Sequence, residues 1–366
     1  MKIYSNSVAE NAKISETLFD TRKAYDLIGS CPLHQPTDCL SKPSLAKALG
    51  IKNVIFKIEN QRLGLTSFKA LGGAYAIIRL LGSRFESITG TPFSVSDFHS
   101  STFRELVADT IFTAATDGNH GLSVAAGARA VGAKAVIFVH ERVPQYRVQR
   151  LRDKGADVRV VSGVFDDAVA EASRQAKSNG WILVADTSDD PEDLLPRFVL
   201  EGYTILADEW LEQETQTPTH TFLQAGVGGL AAACIAKWQS LSPQPAFVIV
   251  EPDEAPALFE SARAGEIRSI PEQDAGAMEM LECYRPSSLA WDIIAPVARA
   301  FQTISSIEAQ QAVRELADVG IATTPSGAAG YAGLREAAMD TNARKACGLN
   351  ADSVVWIVIS EGPAQT

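Results

Sequence analysis

The sequence predicts an α/β protein built from two parallel-sheet domains, and three observations carry that reading. From Thr110 onward, short apolar runs alternate with helix-period segments: TIFTA, a helix to Gly132, KAVIFVH, a helix from Tyr146 to Lys154, DVRVVS and a further helix. That alternation makes a parallel sheet with crossover helices. A second set of strands is HTFLQ, FVIVEP and SVVWIVIS, the last of them apolar almost throughout, as a strand buried on both faces is. Several of these runs end in polar, glycine-containing turns, where α/β proteins hold their ligands. With 366 residues, 46% of them hydrophobic, the chain can bury the cores of two domains.

Taken in order, residues 1–50 read as an irregular arm with a short helix from about Ser44 to Leu49, Pro43 marking its start. PLHQPTDC is held out of helix by its prolines. NVIFKIE (Asn53–Glu59) is a strand. Thr89–Ser101, rich in Ser, Thr, Gly and Pro, reads as a loop. In the helix after DVRVVS, Phe165, Val169, Ala172 and Ala176 are expected to form the apolar face. WILVAD is the next strand. Asp186–Phe198, acidic and with two prolines, reads as a loop. The helix EGYTILADEW follows, and residues 266–305 read as irregular before the helix ISSIEAQQAVREL. SVVWIVIS is the last buried strand and ends at Ser360.

The formal net charge is −11, and no basic run or basic–aromatic stripe occurs, so a nucleic-acid partner is not expected. No apolar run approaches the roughly 20 residues of a membrane span. MKIYSNSVAENAK lacks an apolar signal core, so a cytoplasmic location is expected. The five cysteines, Cys31, Cys39, Cys234, Cys283 and Cys347, are odd in number and scattered, unlike a disulfide framework. Neither they nor the histidines show metal-ligand spacing, so no metal is expected.

The chemistry concentrates in three segments. TSFKALGGAYA (Thr66–Ala76) opens a helix with Ser67 as the expected N-cap and Lys69 in the first turn. The positive end of the helix dipole disfavours a fixed cation there. A lysine that must at times be a neutral amine, as a Schiff-base lysine must, suits the position. Gly72 and Gly73 cost helix stability, which fits a close approach to the backbone. ATDGNHG (Ala115–Gly121) is a polar strand-to-helix turn. QAGVGGLAAA (Gln224–Ala233) allows successive amides to converge on a phosphate, without being a Walker A motif or a full G-x-G-x-x-G.

In this order, SFKALGGAYA, ATDGNHG, QAGVGGL and the terminal VISEGP resemble the fold-type-II, tryptophan synthase β-like, pyridoxal 5'-phosphate (PLP) dependent enzymes. Within them the similarity is greatest to the 2,3-diaminopropionate ammonia-lyases, which share Asp117 in place of the serine usual in threonine and serine dehydratases. The resemblance runs from about Asn53 to the C-terminus. It implies a large domain of residues 1–75 plus 205–366 and a small one of 76–204, with PLP between them, and a homodimer.

The resemblance also implies roles. Lys69 would carry PLP, and Asn119 would bond the phenolic oxygen of its ring. The amides of Gly226, Val227, Gly228, Gly229 and Leu230 would hold the phosphate, and Ser360 would face the pyridine nitrogen. Asp117 would be an acid/base on the face opposite Lys69, and Asp186 a second aspartate by the substrate. The implied reaction is α,β-elimination on 2,3-diaminopropionate or a related β-amino-substituted amino acid, with or without an N-substituent, giving a 2-keto acid (pyruvate) and ammonia. Serine, threonine or hydroxyaspartate dehydration, cysteine-synthase-like β-replacement and a non-catalytic PLP-fold protein are the alternatives. The chain departs from the ammonia-lyase pattern at Leu281–Pro286, where Tyr284 and Arg285 stand, and at Thr324–Gly327, which lacks a glutamate.

Overall fold

The computed structural model describes residues 1–6, 18–116, 118–190 and 193–363. In chain order the elements are β1 (Lys2–Ser5), α1 (Thr21–Gly29), β2 (Cys39–Ser41), α2 (Pro43–Leu49), β3 (Asn53–Ile58), α3 (Lys69–Thr89), α4 (Ser101–Ala108), β4 (Ile111–Ala115) and α5 (Asn119–Val131). Then come β5 (Lys134–His140), α6 (Gln145–Asp153), β6 (Asp157–Val161), α7 (Phe165–Asn179), β7 (Ile182–Leu183), α8 (Leu194–Gln213), β8 (His220–Gln224) and α9 (Gly229–Trp238). The chain ends with β9 (Ala246–Pro252), α10 (Ala257–Ala264), α11 (Ser288–Ile294), β10 (Ala298–Ile304), α12 (Ser306–Asp318), α13 (Pro325–Met339), α14 (Thr341–Cys347) and β11 (Val354–Ile359).

Two sheets result. The larger has the order β1-β10-β9-β8-β11-β3-β2 and is parallel except at its edges, where β1 and β2 run antiparallel. The smaller, β6-β5-β4-β7, is parallel throughout. Central strands β8, β9 and β11 are buried along their length, which is why their sequences show no alternation. Trp356 of β11 stacks on Trp210 with ring centroids 4.6 Å apart, and Trp238 meets both edge-on.

Helices α3, α5 and α8 pack through small residues. A Cβ on Gly72 would lie 2.4 Å from the Tyr203 ring, and one on Gly73 2.9 Å from Ser123 Oγ. The close approach expected at this glycine pair is therefore made by neighbouring helices.

The structure differs from the sequence reading at several elements. The N-terminal arm contributes two edge strands, because β1 finds its partner in β10 some 300 residues away. β10 itself lies within the stretch read as irregular. The loop read at Thr89–Ser101 contains a 3-10 turn, Val95–His99, closed by Ser94 and Asp97. Asp186–Phe198 gives way to α8 at Leu194, with Pro196 in the first turn, where no intrahelical N–H is needed. On α7 the buried face is Ala168, Ala172 and Ala176, whereas Phe165 and Val169 are each 40% exposed. Only small side chains fit where that helix lies against the sheet.

The arm is pinned by buried charge. Arg62 donates to Glu59 and Glu209, Lys57 lies 2.9 Å from Glu209, and all four side chains are fully buried. Arg62 also reaches the Gln35 carbonyl and Thr37 Oγ1, which holds the middle of PLHQPTDC in place after its opening turn.

Buried histidines make the fold acid-sensitive. Burial pushes His220 down to about 4, and burial likewise lowers His34 and His120. As pH falls below the ordinary value near 6.5 the unfolded chain takes up protons before the folded one, so stability present above 6.5 is lost toward pH 4. His220 alone contributes about 3 kcal/mol to that loss. Urea unfolding across this range is expected to show the slope, and His220→Gln to flatten it in part.

Candidate active site

The site forms where both sheets present the carboxyl ends of their parallel strands. β3 leads through a short linker to Lys69, β4 to Asn119, β7 to Asp186, β8 to Gly226–Leu230 and β11 to Ser360. Lys69, Asn119, Asp186 and Ser360 line one narrow cleft, together with Ser67, Thr116, His120, Glu279, Glu282, Ser326 and Glu361 among others. Asp117 lies outside the described residues.

Lys69 is the first residue of α3, and the helix cap is Phe68, one residue later than expected. Ser67 still contributes, its Oγ accepting the Lys69 N–H at 3.3 Å. The Lys69 ammonium donates to Asp186 Oδ2 at 2.6 Å. Burial lowers the pKa of this ammonium, but the Asp186 carboxylate outweighs burial and holds it above its ordinary value. Burial likewise pushes the Asp186 carboxyl up, and Lys69 with His120 more than reverses that, leaving it below the usual carboxylate range. The dipole argument from sequence is thus overridden by a direct contact, and the amine is charged in this state.

Asp186 is placed by its neighbours. His120, buried at the start of α5, has Nε2 2.7 Å from the Val184 carbonyl. A carbonyl only accepts, so that nitrogen carries the proton. Two residues further on stands Asp186, so the histidine fixes the strand end that presents the carboxylate.

Ser360 is nearly buried, and its carbonyl accepts the Phe68 N–H at 3.0 Å. Gly362 N–H donates to the Thr66 carbonyl at 2.9 Å, and Glu361 bridges Ser67 in antiparallel sense. The C-terminal turn is therefore stitched to the backbone just ahead of the lysine. Sequence reasoning did not single out Glu361, whose carboxylate accepts from Asn119 Nδ2 at 2.6 Å and from Thr324 Oγ1 at 2.5 Å.

The glycine turn after β8 forms a cradle beside this cleft. A Cβ on Gly226 would lie 2.9 Å from Cys283 Sγ, and Gly228 has φ of +102° with a Cβ position 3.0 Å from Ala290 and Ile294. Only glycine fits either place. The first turn of α9 leaves N–H groups without intrahelical acceptors. Tyr203 Oη and Ser287 Oγ are buried and lack hydrogen-bond partners among the described residues. Ser287 adjoins the turn, its N–H donating to the Val227 carbonyl at 3.1 Å, and the Tyr203 ring passes between Gly72 and Gly229. Unpaired amides and hydroxyls beside a lysine amine suit a phosphorylated carbonyl compound such as PLP. Gly226–Leu230 do not themselves line the cleft that holds Lys69, because Leu281 and Cys283 lie over Gly226.

The profile of the family described as pyridoxal-phosphate dependent enzyme matches residues 31–361. The chain belongs to that family. Among its relatives is the diaminopropionate ammonia-lyase of Escherichia coli strain K12, 32% identical over 348 residues, covering 90% of this chain and 85% of that one. A crystal structure of the Escherichia coli enzyme in complex with an aminoacrylate-PLP azomethine reaction intermediate superposes with a TM-score of 0.87 at 30% identity, covering 99% of this chain and 93% of that chain. Threonine deaminase isoform 2 of Solanum lycopersicum shares the fold, with a TM-score of 0.77 at 20% identity, covering 100% of this chain and 94% of that chain. The fold is therefore that of fold-type-II PLP enzymes, and PLP is the cofactor.

Tyr284 and Arg285, the departures noted above, do not line the cleft. Arg285 reaches outward to Asp189 at 3.1 Å and to Ser269, and the Tyr284 hydroxyl donates to the Gln273 carbonyl. At Thr324–Gly327, where the glutamate is missing, Thr324 caps α13 and its hydroxyl donates to Glu361.

Proposed function

We infer that the protein is a PLP-dependent ammonia-lyase that acts on 2,3-diaminopropionate or a closely related β-amino amino acid. The observation that favours this substrate is the charge of the cleft. Asp186, Glu282 and Glu361 line it, against the single ammonium of Lys69 among its described lining residues, while Glu279 at its edge is paired with Arg147 at 2.7 Å. Such a wall suits a substrate carrying a second ammonium. It does not favour hydroxyaspartate, which brings a second carboxylate, and it offers serine nothing beyond what any amino acid receives.

When bound, PLP supplies the electron sink that acidifies the substrate Cα–H and allows the β-amino group to leave. Lys69 would hold the cofactor, Asn119 its phenolic oxygen, the amides of Gly226–Leu230 its phosphate and Ser360 its ring nitrogen. Asp186, in hydrogen-bond contact with Lys69 Nζ, can take up and return the proton that the lysine must lose before it can act as nucleophile or base. Asp117 would serve the opposite face. The boundaries proposed for the two domains, 1–75 plus 205–366 and 76–204, fall within α3 and α8, the helices packed between the sheets. A cytoplasmic homodimer is the proposed setting. The five free cysteines accord with a reducing compartment, and sedimentation would test the dimer.

Elimination followed by hydrolysis converts diaminopropionate and one water into pyruvate and two ammonia molecules, whereas serine or threonine releases one ammonia per keto acid. Keto acid and ammonia are therefore to be quantified together over a panel of both diaminopropionate enantiomers, serine, threonine, hydroxyaspartate and N-substituted diamino acids. The expected result is the highest kcat/KM on diaminopropionate with two ammonia per keto acid. A one-to-one yield with a hydroxy amino acid as the best substrate would replace this reading by a dehydratase, and a new amino acid as product by β-replacement.

A further inference from the structure

Glu361 is a buried group in the cleft that the assigned roles leave unused. It is 6% exposed. Its backbone is fixed independently of its side chain, by the pairing with Thr66–Phe68 and by Thr323 Oγ1, which donates to the Glu361 carbonyl at 2.7 Å. Its side chain is held at both oxygens. Thr324 Oγ1 donates to Oε1 at 2.5 Å, and Asn119 Nδ2 donates to Oε2 at 2.6 Å.

Two donors on two oxygens is the pattern of an ionised carboxylate, and an ionised carboxylate only accepts. It therefore dictates which end of the Asn119 amide faces it. The NH2 group turns to Glu361, and the carbonyl oxygen, which would be repelled, turns away. One N–H of that NH2 group remains for the cleft that Asn119, Ser360 and Glu361 line together. Burial raises the Glu361 carboxyl above its ordinary value, and the Thr324 and Asn119 donors act against that rise. The donors that hold the side chain in place thus also favour its ionised form.

We propose that Glu361 is a positioning residue, which locks the Asn119 amide so that its free N–H meets the phenolic oxygen of PLP. The proposal rests on the assignment of Asn119 to that oxygen. The role is orientation across the two sheets: Glu361 belongs to the turn after β11 of the large sheet, and Asn119 opens α5, which follows β4 of the small one.

The test uses the holoenzyme and its apoenzyme reconstituted with PLP, reading the absorption maximum of the bound cofactor and its dissociation constant. Glu361→Ala is expected to shift the absorption and to raise the dissociation constant about two- to tenfold, the weight of one net hydrogen bond. Glu361→Met, which keeps the volume and removes the acceptor, should do the same if the alanine variant folds poorly. Glu361→Gln should recover most of the loss, because its carbonyl can still accept from Asn119 while its NH2 turns to the Thr324 hydroxyl. In an Asn119→Ala background Glu361→Ala should add nothing. An equal effect in that background, or no effect in the wild-type background while Asn119→Ala itself changes both readings, would overturn the proposal and leave the Asn119 assignment standing. If Asn119→Ala changes neither reading, the assignment falls and the proposal with it.

Discussion

Lys69→Ala is expected to lower turnover by at least roughly 10³-fold, within the range for loss of a group that serves in proton transfer and above it if covalent attachment is also lost. Purified wild-type protein should be yellow, and borohydride should fix the cofactor on Lys69. The alanine variant should show neither property. Removing the amine also leaves the Asp186 carboxylate, 2.6 Å away, without its counter-ion. Both side chains are about a quarter exposed, so solvent softens that loss and the apoenzyme should melt only slightly lower. Lys69→Arg separates the two consequences. Arginine can keep the ion pair with Asp186 but cannot shed its proton. It should restore the melting temperature of the apoenzyme and none of the turnover. If Lys69→Arg were active, the lysine would be a structural cation and another residue would carry the cofactor.

What the sequence made legible is what local patterning encodes. β4, β5, β9 and β11 are built on apolar runs, and the turns that follow several of the strands bear glycine and polar residues. Lys69, Asn119, Gly226–Leu230 and Ser360 could therefore be placed at strand ends before any contact was known. Contacts between distant segments were not legible. The pairing of Asp186 with Lys69 spans 117 residues, and that of Glu361 with Asn119 spans 242. β10 was missed because ARAFQTI carries alanine, arginine and glutamine where strands usually carry branched residues. Its place is set by two neighbours, β1 and β9, that lie far from it in sequence. On α7 the expectation holds for Ala172 and Ala176 and fails for Phe165 and Val169, because periodicity favours the larger apolar side chains, whereas close packing on the sheet selects the alanines.

Asp117→Asn is expected to divide the two enantiomers of the substrate. Elimination needs the Cα–H bond perpendicular to the cofactor plane, so the base must stand on the face that carries the proton. In the proposed arrangement Lys69 would serve one face, and Asp186, which touches Lys69 Nζ, would act with it. A second base is required if the enzyme also accepts the other enantiomer. In ATDGNHG the titratable residues are Asp117 and His120. His120 is buried, and burial lowers its pKa while its Nε2 is engaged with the Val184 carbonyl, so it is committed to structure. That leaves Asp117. The variant should bind PLP normally and keep activity on the L-substrate, while activity on the D-substrate falls by roughly 10²–10⁴-fold, the range for loss of a general base. The proposed arrangement puts the proton of the L-substrate on the lysine side, so Asp186→Asn should weigh most on that enantiomer. Steady-state kinetics of both variants on both enantiomers reads all four values. Equal losses on D and L for Asp117→Asn would make it a shared binding or leaving-group residue, and no loss on either would reduce it to an aspartate that shapes the turn before Gly118.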